Sequence, residues 1–264
     1  MDKVFLVRLI ISFIVGSLWV TGSTVLAERY GTKIGGLVTG MPSTVLLGLF
    51  FIAWTQSTAV AVEATSVIPF IGGINCLFLV VYITLIQYSF WLALISALSV
   101  WFLLSLTLVF LKINDFVTSI VFYTLFFFIS YYIVEKKLRI KSEQGRGVSI
   151  TSSMLMVRGL ISGFIIALTV LLAKIGGPLL GGVFAMFPAM FLGTLLITYF
   201  SRGPSFSAAV MKSSMLGAIS VVIFGITARF VYIPYGLWIG TILSLGVSYL
   251  CAYIIHKTAI SKTE

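Results

Sequence analysis

Two ionisable residues stand at the edges of otherwise apolar stretches, and they are the first candidates for chemistry. Glu63 follows Pro42 and Lys212 follows Pro188, each opening an apolar run. Ionisable groups in the hydrocarbon of a bilayer are costly and mark solute pathways or proton relays by default. A carboxylate there can carry a coupling proton, while an amine or the N-terminus of a broken helix attracts an anionic group. One reading brings Glu63 and Lys212 together across a pseudo-twofold axis. The other leaves each at a span end, reaching headgroups or water, and inverted halves favour it because they put the two span starts on opposite faces. Arg8 and Arg158 recur in Val7-Arg8-Leu-Ile-Ile-Ser and Val157-Arg158-Gly-Leu-Ile-Ser; for both, and for Arg229, the reading is a side chain snorkelling to the interface.

Enzyme chemistry finds little to work with. The phosphate-cradling Gly-x4-Gly-Lys-Ser/Thr loop is absent, which disfavours ATP-driven pumping. His256 is the single histidine of the chain, so neither a Ser/His/Asp set nor a His-based metal centre is expected. Glu63 has no second acid as a mate. Cys76 and Cys251 lie in apolar runs and read as small core residues. No enzyme activity, cofactor or metal is expected.

The segments that would position any site are a repeated pair. The first reads Gly35-Gly36-Leu-Val-Thr-Gly-Met-Pro42-Ser43-Thr44-Val-Leu-Leu-Gly48, the second Gly181-Gly182-Val-Phe-Ala-Met-Phe-Pro188-Ala-Met-Phe-Leu-Gly193. Proline inside a helix removes a donor and clashes with the preceding turn. Within a membrane the freed carbonyls must be met by protein or trapped water, and Ser43 and Thr44 are placed to do so. Paired Gly/Pro-interrupted segments in two halves point to a transporter's midplane site. Gly35, Gly36, Gly181 and Gly182 serve that site or close helix packing, and both readings stay open.

The bulk properties fit a bilayer. Of 264 residues, 60% are hydrophobic and 9% charged, against about 25% charged in an ordinary soluble domain; the mean hydropathy is +1.17. The net charge of +10 reads as loop charge that orients the chain, and nucleic acid is excluded as a partner. Apolar runs predict nine spans, at about 4–27, 34–54, 64–86, 89–111, 116–134, 154–173, 179–200, 207–230 and 235–256, with Arg202-Gly203-Pro204 and Pro234 as breaks. The first run resembles a signal peptide but is longer than one, and it is read as a retained helix. Placing the basic linker between Glu135 and Ser153 in the cytoplasm puts the N-terminus outside and the C-terminus inside. The units are an N-terminal repeat over 1–112, a linking helix and basic linker over 113–153, and a C-terminal repeat over 154–264. The unpaired fifth span makes the repeats inverted.

Residues 154–256 resemble the small GlpM-like four-helix membrane proteins through Lys174-Ile-Gly-Gly, Gly181-Gly182, Phe187-Pro188-Ala189, Gly193 and the Gly-rich helix ending near Pro234. The first half is a diverged copy, with Met41 in place of Phe187. The resemblance implies a fold and carries no substrate. The expectation is an all-α integral membrane protein of about nine transmembrane helices, two inverted four-helix repeats joined by one linking helix. Its expected function is secondary transport or facilitated passage of a small ion, amphiphile or lipid-linked solute across the cell membrane. Gly35, Gly36, Pro42, Ser43, Thr44, Glu63, Gly181, Gly182, Pro188 and Lys212 would line the pathway. The lipid bilayer and a small solute are the expected partners, and a homo-oligomer is left open. The alternative is a non-transporting scaffold or assembly factor for an envelope-synthesis complex, which would be dry between the two proline segments.

Overall fold

The computed structural model describes residues 2–29, 42–138, 140, 151–255 and 257–258, and among them all regular structure is helical. The first half contains α1 (Lys3–Arg29), α2 (Ser43–Thr55), α3 (Thr58–Ala64), α4 (Ile68–Leu85) and α5 (Phe90–Phe110). A 3-10 turn over Thr65–Val67 joins α3 to α4 in one continuous rod. Then come α6 (Phe116–Tyr132), α7 (Ser152–Ala185) and α8 (Ala189–Ile255). Two of these helices are started by local polar groups. Ser57 accepts from the Val60 amide at the head of α3, and Asp115 accepts from the Thr118 amide at 2.7 Å at the head of α6, each meeting a donor that helix geometry leaves free.

In the second half the chain reverses direction without leaving helical hydrogen bonding for long. Gly177 (φ 86°), Gly203 (φ 83°) and Gly236 (φ 72°) hold left-handed backbone, a conformation that a Cβ penalises. They divide α7 and α8 into segments 152–176, 178–185, 189–202, 204–235 and 237–255. Setting Pro42 on Pro188 drops the first half's turn at Ser57 onto Gly203, and its turn at Tyr88-Ser89 just before Gly236. The two halves therefore change direction at matching places by different means, extended serines in one and left-handed glycines in the other.

Several expected boundaries shift. The third run begins at Thr58, so Glu63 lies within α3 and not at a helix start. The sixth continues to the break at Gly177. The last break falls at Gly236, because Pro234 fits the preceding helix and the left-handed glycine after it makes the turn. The run expected at 179–200 is interrupted around 186–188. Gly35 and Gly36 lie outside the described residues.

Helices α1 and α7 pack antiparallel. Lys174 stands over the Phe5 ring at 5.9 Å near one end, and Gly159 faces Ser17 and Thr21 towards the other. A Cβ on Gly163 would sit 2.6 Å from the Phe13 carbonyl oxygen and 3.0 Å from the Ser17 nitrogen. The backbones thus approach as closely as small-xxx-small packing permits. The α3–α4 rod forms the centre, with 83% of its most apolar window buried against 17% for the stretch containing α6. Large apolar side chains cover the outside, among them Leu18 of α1, Leu103 of α5, Val121 of α6 and Trp238 of α8.

Thermal unfolding in detergent micelles tests the α1–α7 contact. Gly163→Leu is expected to cost about 1–3 kcal/mol through overpacking, whereas Gly217→Ala, where a Cβ meets nothing within 4 Å, is expected to leave stability unchanged or slightly raised. The cap of α6 supplies a pH test. Bonding to the Thr118 amide, above all, holds the exposed Asp115 carboxyl below its ordinary value. Its stabilising contribution is therefore complete above the usual carboxylate pKa of about 3.9 and lost as pH falls through the lower folded value. Asp115→Asn keeps a capping oxygen without that titration, so the gap between its unfolding midpoint and wild type should change only in this acid range.

Candidate functional site

The two proline segments meet in the interior. A Cβ on Gly181 would lie 3.1 Å from Ile52 Cδ1, and one on Gly48 would lie 3.3 Å from the Ala185 Cβ. These pairings run antiparallel. Continued by one turn, they bring Ser43 and Thr44 to the level of Pro188 and Ala189. The start of α2 and the interruption between α7 and α8 therefore share one depth.

At the interruption, the Met186 and Phe187 amides bond to Val183 and Phe184 in a tightened last turn, and the helix resumes after Pro188 when Leu192 bonds back to its carbonyl. The carbonyl of Met186 is left for an outside donor. Asn75 of α4 supplies it, Nδ2 to oxygen at 2.9 Å. The amide oxygen of Asn75 in turn accepts from Trp101 Nε1 of α5 at 2.9 Å. Both side chains are buried, and an unpaired polar group at such a place is expensive. Rings close over the bridge: Trp101 meets Phe187 edge-on at 5.1 Å, and Phe184 stacks parallel to Phe187 at 6.3 Å.

On the other side of the junction Ser43 and Thr44 are both buried, and Ser43 Oγ has no hydrogen-bond partner. Gly181 and Gly182 serve close packing. A Cβ on Gly182 would run into the Ala64 carbonyl, and one on Gly181 would lie 2.6 Å from the Ala173 Cβ.

Glu63 and Lys212 do not meet. Lys212 pairs with Glu135 at 2.7 Å and donates to the Ile140 carbonyl at 2.8 Å, tying the end of the α6 stretch to α8. Glu63 is exposed, and its neighbour Val62 accepts from Arg229 at 3.2 Å. Lys212 and Arg229 share the unbroken segment 204–235, which separates the levels of Lys212 and Glu63 by about 25 Å. Nor do the arginines simply snorkel. Arg8 donates to the Trp54 carbonyl at 2.7 Å and lies over the Trp54 ring; Arg229 lies over Phe116 as well as bonding Val62. Arg158 is buried, with 7% of its surface exposed.

A family described as "Protein of unknown function (DUF3147)" matches the chain twice, over residues 9–115 and 155–261. The chain belongs to that family, as an internal duplication. Laying the two matches end to end pairs Gly35 and Gly36 with Gly181 and Gly182, and Pro42 with Pro188. It also pairs Arg158 with Ser12, Glu63 with Ala209, and Lys212 with Ser66. The charged residues are thus not repeat equivalents, while the Gly-Gly/Pro core is. The match carries no link to the GlpM-like proteins. No curated protein and no solved structure matches the chain.

Reasoning from sequence passed over Asn75 and Trp101 as partners, Glu135 as the mate of Lys212, and the Gly159/Gly163 pair. The glycine pair had a usable signal in its i, i+4 spacing within an apolar run. Asn75 stands out only as a carboxamide in such a run.

Replacing Asn75 by Leu removes the partner of both Trp101 Nε1 and the Met186 carbonyl. A loss of about 1–3 kcal/mol per orphaned group is expected, together with a shift in Trp emission. The double change Asn75→Leu/Trp101→Phe should recover the indole part of the loss, leaving that of the carbonyl.

Proposed function

We propose that this chain is a multi-pass protein of the cell membrane that moves a small ion, an amphiphile or a lipid-linked solute, with its site where the two proline-broken elements adjoin. The carrying observation is that junction: the start of α2 and the interruption around Pro188 reach one depth in the interior, where the buried Ser43 hydroxyl is unpaired. In this reading about nine helices span the bilayer as two inverted four-helix repeats, with α6 as the linking helix. The antiparallel packing of α1 on α7, which occupy matching places in the two repeats, supports inversion. The N-terminus lies outside and the C-terminus in the cytoplasm, following the basic linker. Broken helices at a repeat interface are the arrangement alternating access uses.

One observation favours a second reading, a scaffold or assembly factor for an envelope-synthesis complex. Asn75 and the rings of Trp101, Phe184 and Phe187 seal the break on the α7–α8 side as a packed core would.

Cysteine labelling separates the two. On a Cys76→Ala/Cys251→Ala background, Ser43→Cys and Ala189→Cys occupy equivalent positions of the two repeats. Transport predicts that a small membrane-impermeant thiosulfonate reaches one from the outside and the other from the inside. Complete protection of both, in protein that still inserts, would overturn transport in favour of the scaffold.

A further inference from the structure

Among the described arginine side chains, Arg8, Arg202 and Arg229 have hydrogen-bonding or ring partners. Arg158 is different. It is 7% exposed, its Nε has no hydrogen-bond partner, and Nη2 finds only the Met190 sulfur at 3.9 Å. No carboxylate pairs with it among the described residues. A guanidinium held out of water without a counter-charge is strongly unfavourable, and the cost disappears when an anion enters.

Beside it is a place for one. Arg158 lines a cavity of about 210 Å³ between the first turns of α7 and segment 189–202, with Ser153 at the rim and Val157, Ile161, Leu196 and Phe200 among the walls. Val157 is 49% and Phe200 61% exposed, so the cavity opens sideways, onto the apolar outer surface. Gly193 keeps room for the arginine stem; a Cβ there would lie 3.0 Å from Arg158 Cγ. Arg158 lies in the second turn of α7, about 9 Å from the helix start.

We propose that this cavity binds an anionic phospholipid, with the phosphate on the Arg158 guanidinium and an acyl chain along the Ile161–Leu196 wall. The planar guanidinium matches phosphate in charge and bidentate geometry, and the lateral opening admits a lipid without passage through water. A zwitterionic lipid fits less well, since it carries its own cation to a site that already has one. The inference rests on the chain lying in a bilayer, as in the reading above, and not on transport.

The test uses the full chain in a neutral detergent, with thermal unfolding and native mass spectrometry as readouts. Phosphatidylglycerol is expected to raise the unfolding midpoint by about 4 °C and to leave one retained lipid per chain. Phosphatidylcholine and inorganic phosphate at millimolar concentration are expected to do neither. Arg158→Gln should abolish the shift while unfolding, without lipid, no lower than wild type, because it removes an uncompensated charge. Leu196→Trp fills the cavity, leaves the arginine in place and should also abolish the shift, which keeps the proposal testable if Arg158→Gln does not fold. An equal shift in both variants, or the full shift with inorganic phosphate alone, would overturn it. Labelling of Ser43→Cys and Ala189→Cys from opposite sides is independent of either result.

Discussion

Everything else in this molecule depends on how closely α1 can approach α7. The contact is made by backbone as much as by side chain: Gly159 and Gly163 face the Ser17 and Phe13 carbonyls with no Cβ between. Small residues at the crossing let the two backbones reach van der Waals contact. The antiparallel sense of this pair places the two repeats around a common interior. It also sets the breaks at one depth, since α2 and segment 178–185 each pack against the helices this contact aligns. A bulkier residue at the crossing would shift the junction of the two breaks without touching it.

The repeats share a backbone plan but not its chemistry. Asn75 and Trp101 of the first half hold the break of the second, and in the paired positions the second half has Val221 and Val247. The break held by this carboxamide is stiff, because opening it strands a carbonyl and an indole.

The charges likewise divide by role. Lys212 and Glu135 tie the end of the α6 stretch to α8, and Arg229 binds the turn where α3 passes into α4. These are fastenings at the rims, where a partly exposed ion pair adds little stability of its own but fixes which helices are neighbours. Arg158 fastens nothing. It is buried beside Gly193 and faces the cavity between α7 and segment 189–202.

From the amino-acid order alone come the helical class, the duplication and the proline interruption at Pro188. Hydropathy runs, Gly-Gly spacing and proline are local properties, and a missing amide weakens a helix at the same place in the sequence however the chain is packed. The glycine turns were half legible: Arg202-Gly203-Pro204 announces itself, while Pro234 points two residues short of the real turn at Gly236, because proline is tolerated where left-handed backbone is not. Partner choice was not legible. Nothing near Lys212 in the chain indicates that Glu135, on another helix, is its mate in place of Glu63, and nothing near Asn75 names Met186. Those pairings depend on rotation and depth of packed helices, which are set by the sum of many side-chain contacts. Only the tertiary structure decided that the levels of Glu63 and Lys212 lie about 25 Å apart, as measured along segment 204–235 from Lys212 to Arg229, that Arg8, Arg202 and Arg229 are engaged, and that Arg158 is buried facing a cavity.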